Sequence, residues 1–410
     1  MHRLNTSLRE CTTKFTLEHA KHYIEKLGIS RVTDTTRLDR IGVPVYSSIR
    51  PAAAEGSICV HAGKGLEKAE AMTGAIMEAI EFGFAEFKHS NLEIHEVLPA
   101  HILGRDNGSE AILDLCPKMN AEIKMNKSIH AVRVLELNSN FELDVPAELV
   151  FTPFLHDGPI YFGSHSNGLS SGNTVTEASI HGILEVIERD VVTFNNFEDS
   201  GTLINIDTLP KSFEPIVANI RGADLELTVK YIENPLELPV FICWLIEPHL
   251  EIPSYINVGF GCHIHKSIAL MRAVTEAIQS RMSFIHGGRD DLIHDYELYD
   301  SMGKSERSKH FQESVHKIRT TMGAIDYEKV PEVDWKYNNL NELLSALLQH
   351  LQKHCFNQVV QAIHTRKEDT LQVVKIIIPR MEFFTTENKR VGPRLKKRID
   401  EITDDHLRGA

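Results

Sequence analysis

The chain has 410 residues, of which 42% are hydrophobic and 25% are charged. This length exceeds the size at which a single hydrophobic core stops growing, so we expect two or three packed subdomains. The composition is that of an ordinary globular protein and excludes a disordered chain. The formal net charge of −13 argues against a nucleic-acid partner, because general binding to phosphates needs a basic surface.

The cysteines and the chain start indicate the compartment. None of the six cysteines forms a CxxC pair, which fits neither a disulfide scaffold nor a zinc site of usual spacing. Residues 1–11 carry charges without an apolar segment, and no stretch approaches the roughly 20 apolar residues that span a bilayer. These features predict a cytoplasmic protein with reduced cysteines and no membrane partner.

Apolar periodicity predicts an alternation of helices and strands along the chain. A helix over 17–27 ends at Gly28, a residue suited to a helix C-cap. The small-residue segment 166–174 is interpreted as a loop before a strongly periodic helix over 175–194. The Lys-, Asp-, Ser- and Glu-rich segment 287–334 is predicted to be an excursion with weak core character. The other predicted elements are a turn, strand and turn over 31–48, helices over 68–88, 265–285 and 340–352, and strands over 240–246, 255–258, 359–363 and 373–379.

Together these elements predict a mixed α/β (α+β) fold in which helices pack on mixed or antiparallel sheets. We divide the chain into an N-terminal helix and strand region (1–60), a catalytic domain (61–394) and a charged C-terminal tail (395–410). Within the catalytic domain we expect subdomains near 61–160, 161–290 and 335–394.

Three of the predicted helices share one pattern, an alanine followed seven residues later by Glu-x-x-Glu or Glu-x-x-Gln. Its recurrence every 90 to 110 residues or so indicates a duplicated helical element. Because residues i and i+3 lie on one face of a helix, each pair points two polar groups in one direction. The copies are Ala71…Glu78-x-x-Glu81, Ala178…Glu185-x-x-Glu188 and Ala269…Glu276-x-x-Gln279.

The second helix concentrates acids beside an apolar stripe, where they are costly unless a positive group neutralises them. A solvated, salt-bridged boundary is the ordinary interpretation of one such pair. Three related helices favour divalent cations instead, and Mg²⁺ prefers a few carboxylates with phosphate oxygens and water. The polar residues within roughly a quarter of the circumference are Glu177, His181, Glu185 and Glu188. A lone histidine there is more often structural, so His181 is given no role.

Acids alone would indicate a metal hydrolase as readily as an ATP enzyme, and nearby basic residues favour the latter. Arg189 follows Glu188, and the third helix carries Arg272, Gln279 and Arg281 as donors for phosphate oxygens. Ordinary arginine–glutamate pairing is the alternative.

Two loops are candidate phosphate-binding sites. The segment 170–173 ends at a predicted helix N-terminus, where backbone amides favour an anion, although Asn173 can equally be the N-cap. Gly63-Lys64-Gly65 is weak evidence for phosphate and better evidence for a turn. The sequence contains no GxxxxGK[ST] loop, no kinase HRD or DFG set and no GxGxxG after a strand.

The sequence from Asn167 to Asp190 contains NGLSSGNT, Glu177-Ala178 and EVIERD, and it resembles the signature of YcaO proteins. Other pieces resemble the family in the expected order, from about residue 17 to 394. They are Leu38-Asp39-x-x-Gly42-Val43-Pro44-Val45, Arg50-Pro51, Gly63-Lys64-Gly65, Glu78-x-x-Glu81, Arg272-Ala273-x-Thr275-Glu276-Ala277-x-Gln279-x-Arg281, Gly288-Arg289-Asp290-Asp291 and the strand Ile376 to Pro379 before Glu382.

The resemblance implies an unusual ATP-binding fold, often dimeric, in which helical glutamates hold Mg²⁺ around the phosphates of ATP. By position in the motifs, the metal-binding residues are Glu78, Glu81, Glu185 and Glu188. The candidate nucleotide-binding residues are Lys64, Asn173, Glu177, Arg189, Gln279 and Arg281. No catalytic base is assigned.

Family members use ATP to phosphorylate a backbone amide oxygen, which gives the amide carbon a leaving group. A nucleophile then adds, and phosphate departs. A Cys, Ser or Thr side chain of the substrate gives an azoline, external sulfide gives a thioamide, and an amine gives an amidine. Such phosphoryl transfer depends mainly on positioning and charge neutralisation.

This chain departs from the family pattern at three places. Gly74 replaces a common serine and Phe82 replaces a usual arginine, so one side of the nucleotide pocket is expected to differ. The segment from Arg394 to Ala410 lacks the proline-rich ending of azoline-forming members. No fused recruiting domain precedes residue 17, so leader-peptide binding is expected to come from another chain.

The favoured hypothesis is a stand-alone enzyme, expected to be a homodimer, that acts on a peptide or protein. The missing proline-rich ending slightly favours thioamide formation with a TfuA-like partner. The alternatives are an azoline-forming cyclodehydratase of a ribosomal peptide natural product pathway, with an E1-like partner, and an accessory factor in ribosomal protein methylthiolation.

Overall fold

A computed structural model describes residues 1–104, 108–250, 255–289, 297–298, 301–320 and 323–408. The strands are β1 (His2–Arg3), β2 (Leu8–Arg9), β3 (Arg31–Asp34), β4 (Val45–Ile49), β5 (Val60–Lys64), β6 (Ile94–Val97), β7 (Ile129–Glu136), β8 (Glu142–Pro146), β9 (Leu169–Gly172), β10 (Gly201–Asn205), β11 (Glu226–Ile232), β12 (Val240–Ile246), β13 (Ile256–Cys262), β14 (Ala324–Asp326), β15 (Val360–Ile363) and β16 (Gln372–Ile377). The helices are α1 (Thr13–Lys26), α2 (Lys68–Ala85), α3 (Gly108–Leu113), α4 (Val175–Glu198), α5 (Glu214–Gly222), α6 (Lys266–His286), α7 (Lys304–Arg319), α8 (Leu340–Lys353) and α9 (Pro393–Arg408).

The chain divides into two compact units, each built from segments that are distant in sequence. Unit 1 comprises Met1–Ala53, Ile58–Ile80 and Ser200–Trp335. Unit 2 comprises Ala54–Ser57, Glu81–Asp199 and Lys336–Ala410. The domain boundaries that the sequence indicates near residues 60 and 394 stay predictions.

Unit 1 is organised around a sheet with the strand order β13-β12-β11-β10-β14. Neighbouring strands are antiparallel except β10 and β14, which are parallel. Helix α6 packs on β13 and β12, and β5 of the antiparallel sheet β3-β4-β5 also contacts α6. Buried side chains such as Val229, Phe241 and Val274 fill the core between them.

Unit 2 is organised around an antiparallel sheet with the strand order β6-β7-β15-β16-β9, to which β8 adds by pairing with β7. Helix α4 packs on β16 and β9, and α8 packs on α4. Val132, Phe151 and Val360 belong to the buried core of this unit. The predicted mixed α/β fold, with helices on mixed or antiparallel sheets, is confirmed.

Two sequence-based predictions of local structure are wrong. The segment 166–174 contains β9, which pairs with β16 from Leu169 opposite Lys375 to Gly172 opposite Gln372. Only one residue of β9 is apolar, so period-two hydrophobicity does not reveal this strand. The segment 287–334 contributes β14 and α7 to unit 1, and a stripe on α7 buries Phe311 and Val315. The rest of that segment lies partly outside the described residues.

The alanines of the repeated sequence pattern mark places where a helix backbone lies against the preceding strand. Each is fully buried and faces a strand glycine. The pairs are Gly63 with Ala71, Gly172 with Ala178, and Gly261 with Ala269. A Cβ atom added at Gly261 would lie 2.0 Å from the carbonyl oxygen of Ala269. The glycine and the alanine therefore allow an approach that larger side chains would prevent.

Among the described residues, no helix has the length and apolar character needed to cross a bilayer. The predicted charged tail (395–410) begins inside α9, where Leu395 is fully buried.

Substituting Gly261→Ala should destabilise unit 1 by about 1–3 kcal/mol, because the new methyl group must displace backbone atoms of α6. Gly222→Ala is the matched control, since a Cβ atom there meets nothing within 4 Å. The control should be neutral or more stable by up to about 1 kcal/mol. Urea denaturation of both variants measures the difference, and equal midpoints would contradict the close approach.

Candidate active site

The first glutamate of each repeated pattern accepts a backbone hydrogen bond from the strand segment before its helix. The distance from the amide nitrogen to the carboxylate oxygen is 3.0 Å for Glu78, 3.3 Å for Glu185 and 3.4 Å for Glu276. The donors, in the same order, are Ala62, Gly168 and Phe260. The sequence repeat is therefore also a repeat of structure, in which the backbone amide of a strand residue, or of the residue just before the strand, orients a helical carboxylate.

The second position of the pattern differs between the helices. Glu81 accepts a hydrogen bond from Ser171 Oγ at 2.6 Å. Glu188 is 3% exposed, and its Oε1 lies 3.5 Å from Nη2 of Arg189. Gln279 donates from Nε2 to the carbonyl oxygen of Ala62 at 2.9 Å. The second position of the pattern is therefore an acid in α2 and α4. In α6 it is a glutamine, whose amide group binds the backbone of β5.

In unit 1, predicted site residues meet around β5. Glu78 and Gln279 both hydrogen-bond to the backbone of Ala62. Lys64, two residues further along the strand, forms an ion pair with Glu276 at 2.5 Å. The structure therefore brings Lys64, Glu78 and Gln279 together.

Arg281 lies in a different network of unit 1. Its side chain is 3% exposed, its Nε donates to Asp39 at 2.9 Å, and its Nη2 lies 2.8 Å from Glu247. Arg40 binds the other oxygen of Glu247 at 2.7 Å. A role of Arg281 in nucleotide binding stays a prediction, and the contacts seen here are those of a buried ion-pair network.

In unit 2, the start of α4 is organised by its first residues. Thr174 is the N-cap, because its side chain accepts from the amide of Glu177 at 3.1 Å. The alternative that made Asn173 the N-cap is therefore wrong. Asn173 donates from Nδ2 to both carboxylate oxygens of Glu177, at 3.1 and 3.2 Å. The buried Glu177 carboxylate thereby orients the Asn173 amide at the helix N-terminus.

The environment of Glu185 disfavours its charged form. Burial raises the pKa of this carboxyl to about 7, Arg189 opposes the rise, and the neighbouring Glu188 adds to it. The amide of Gly168 and the ammonium group of Lys375 also favour the carboxylate. A divalent cation beside Glu185 and Glu188 would remove the mutual repulsion and hold both acids ionised.

Lys375 is a charged residue that the sequence analysis did not select. It lies on β16, is fully buried, and donates from Nζ to the carbonyl oxygen of His165. Burial lowers its pKa to about 7, and Glu185 opposes that shift. The detectable sign was a single lysine inside the apolar run 373–378, because a cation in a central strand requires partners.

The donor set fits Mg²⁺ that arrives with a nucleotide. Among the described residues, no group of three or more His, Cys, Asp or Glu side chains is placed to hold a metal ion. Mg²⁺ needs no such cage, since it takes one or two carboxylates and completes its shell with phosphate oxygens and water. Glu185 and Glu188 supply carboxylates of this kind in unit 2.

Comparison with known proteins gives a family model described as YcaO cyclodehydratase, ATP- and Mg²⁺-binding, which matches residues 62–382. An uncharacterized protein of Methanothermobacter thermautotrophicus is 30% identical over 92% of this chain and 95% of its own length. An uncharacterized protein in the tfuA 3′ region of Rhizobium leguminosarum bv. trifolii is 29% identical over 69% of each chain.

One solved structure is similar over nearly the whole chain. It is the structure of YcaO from Methanopyrus kandleri bound with AMPPCP and Mg²⁺, with a TM-score of 0.74 and 20% identity. The alignment covers 96% of this chain and 97% of that one. At this identity the similarity establishes the fold.

Because the pKa of Glu185 is raised, the free energy of unfolding of the metal-free protein should depend on pH. The folded-state pKa of about 7 exceeds the ordinary value of 4.5, so the folded state binds more protons between these values and stability falls as pH rises. Glu185→Gln should remove this fall and be more stable than the native protein above pH 7, by at most about 3 kcal/mol. Near pH 4 the two should be equal.

Thermal or urea unfolding in EDTA across this pH range measures the difference. Glu198→Gln, at the exposed end of the same helix, is the control and should follow the native curve. A Glu185→Gln difference that does not change with pH would show that the carboxyl is solvated.

Proposed function

This chain belongs to the YcaO family, and from that premise we propose that it uses ATP to phosphorylate the carbonyl oxygen of a peptide or protein backbone amide. The resemblance read from the sequence is confirmed, and so are ATP and Mg²⁺, the ligands for which this family is described. The observation that carries the proposal is the carboxyl group of Glu185, which is oriented by Gly168 beside Glu188 in surroundings that disfavour an uncompensated charge.

The proposed metal-binding residues are the paired glutamates of the first two copies of the repeated pattern, assigned by their position in the family motifs. They are Glu78 in unit 1 and Glu81, Glu185 and Glu188 in unit 2. Bound Mg²⁺ would neutralise phosphate charge and polarise the transferred phosphoryl group. The carboxylates are held in place before the nucleotide arrives, Glu78 and Glu185 by backbone amides and Glu81 by Ser171.

Five of the proposed nucleotide-binding residues are hydrogen-bond donors that neighbouring groups already orient, and the sixth, Glu177, is an acid that orients one of these donors. In unit 2, Glu177 fixes the amide of Asn173, and Glu188 lies within ion-pair distance of Arg189. In unit 1, Glu276 binds Lys64, while Gln279 and Arg281 hydrogen-bond to Ala62 and Asp39. Groups that are positioned before binding lose little entropy when they meet phosphate.

The proposed reaction has two steps. The amide oxygen attacks the γ-phosphorus of ATP, the bond to the β-phosphate oxygen breaks, and ADP leaves. A nucleophile then adds to the activated amide carbon, and inorganic phosphate departs with the former carbonyl oxygen. The first step is phosphoryl transfer, for which positioning and charge neutralisation supply most of the catalysis.

We favour a sulfide-derived nucleophile, thioamide formation and a TfuA-like partner. The supporting observation is a relative with 29% identity that is named for its place in a tfuA 3′ region. Azoline formation with an E1-like partner and an accessory role in ribosomal protein methylthiolation remain the alternatives. The expected homodimer stays a prediction.

Neutralising either Glu185 or Glu188 of α4 should abolish ATP turnover. Glu185→Gln and Glu188→Gln keep the side-chain shape but remove the charge, so the affinity for Mg-ATP should fall by about 100-fold or more. Isothermal titration calorimetry with Mg-ATP measures the affinity, and phosphate release measures turnover. The control is Glu198→Gln, because Glu198 pairs with Arg398 at the exposed end of α4. Native binding in both Glu185→Gln and Glu188→Gln would refute the site.

The nucleophile is identified by the mass of the product. Peptide mass spectrometry on cells that carry or lack the gene, with and without its partner gene, should find one backbone oxygen exchanged for sulfur. Loss of one water from a Cys, Ser or Thr dipeptide unit would establish azoline formation instead. A changed methylthiolation of a ribosomal protein, without a modified amide, would establish the accessory role.

A further inference from the structure

A segment near the C-terminus lies along one face of α4. Residues 380–395, here called the C-terminal strap, run from beyond β16 into the first turn of α9. The amide of Phe384 donates to Thr193 Oγ1 at 3.2 Å, and the Phe384 ring contacts Phe197 with centroids 5.4 Å apart. Contacts to Asp190 and Phe194 complete a face with helical spacing.

Asp190 is the centre of this contact. It is 3% exposed and accepts from the amide of Glu382 at 2.6 Å. Arg394 binds both carboxylate oxygens of Asp190, at 2.7 and 3.2 Å, and also donates to the carbonyl oxygen of Arg380 at 2.9 Å. A bidentate arginine pair fixes orientation as well as distance.

Aromatic rings enclose the Arg394 guanidinium. Its central carbon lies 4.8 Å from the ring centroid of Phe194 and 5.1 Å from that of Phe356. One ring belongs to α4, and the other follows α8. The guanidinium therefore joins the strap to α4 through an ion pair and ring contacts at once.

Hydrogen bonds within the strap join its two ends. Glu382 is fully buried, and its carboxylate accepts from the amides of Gly392 at 2.7 Å and Leu395 at 2.9 Å. A Cβ atom at Gly392 would lie 2.4 Å from Cys116 Sγ, so there is no room for a side chain at this position. Arg390 donates from Nε to the carbonyl oxygen of Cys116 at 2.8 Å.

The two proposed metal-binding acids of α4, Glu185 and Glu188, lie on the other side of this helix from the strap. At 100° per residue, Asp190 is about 140° from Glu185 and about 160° from Glu188 around the axis of α4. Two neighbouring carboxylates repel each other and gain hydration when they turn toward water. An ion pair on the opposite face resists such a rotation of α4.

We propose that Asp190, Glu382 and Arg394 are positioning residues, which hold α4 so that Glu185 and Glu188 face Mg-ATP. The inference rests on the proposed function, because it assigns the strap a role in that same site. In this proposal the C-terminal strap affects ATP binding by positioning α4 and not by contacting the nucleotide.

The test compares Arg394→Ala and Arg394→Lys with Lys397→Ala. Lys397 is the matched control, since it lies on the same helix with a side chain 79% exposed and pairs only weakly, at 3.9 Å, with Glu401. Calorimetry with Mg-ATP, well below each unfolding midpoint, should show affinity reduced about 10- to 100-fold in Arg394→Ala. Arg394→Lys should be intermediate, because it keeps the charge and loses the bidentate geometry. Lys397→Ala should bind like the native protein.

A lower unfolding midpoint with native Mg-ATP affinity in the folded Arg394→Ala protein would overturn the positioning role. If that variant does not fold, Asp190→Asn decides on the same readout, because it keeps the side-chain shape. The Glu188→Gln variant separates the two claims. Lost binding in Glu188→Gln with native binding in the strap variants refutes the strap alone, whereas native binding in both Glu188→Gln and Glu185→Gln refutes the site on which the proposed function rests.

Discussion

The constraint on which the rest of the structure depends is the cost of holding two carboxyl groups beside each other on α4, the partly buried Glu185 and the buried Glu188. Burial raises the pKa of Glu185 to about 7, and Glu188 contributes to the rise. Part of this cost is offset by the amide of Gly168, by Arg189 and by Lys375. Such a cost is expected where a site is arranged for a cation that binds with its substrate.

The close approach of helix and strand is what places these acids. A strand glycine and a helix alanine let the two backbones meet, and seven residues later the helix carries a glutamate that faces the amide of the strand segment. The same relation occurs in α2, α4 and α6. In α6, Gln279 takes the place of the second acid and bonds to Ala62, so this copy supports β5.

The long periodic elements and the repeated acids could be predicted from the sequence, because helical spacing and the Ala-to-Glu interval are local properties. Strand β9 could not, since Ser170, Ser171 and Gly172 show no alternation of apolar residues. The ion pairs of Lys64 with Glu276 and of Arg281 with Asp39 join residues more than 200 positions apart. Such pairs depend on tertiary packing. The interaction of Lys375 with Glu185 likewise joins residues that are distant in sequence.

Interactions on one side of α4 destabilise the folded protein, and interactions on the opposite side stabilise it. On the acid side, the charges of Glu185 and Glu188 are unfavourable in the absence of a cation. On the strap side, the Asp190 pair with Arg394 is a bidentate contact whose loss leaves a buried charge without its partner. A helix that served stability alone would have no need for the first set. Of the two costly acids, Glu185 is oriented by the amide of Gly168. In the proposed site Mg-ATP would neutralise both acids, and the stability gained through the strap would offset part of their cost when the ligand is absent.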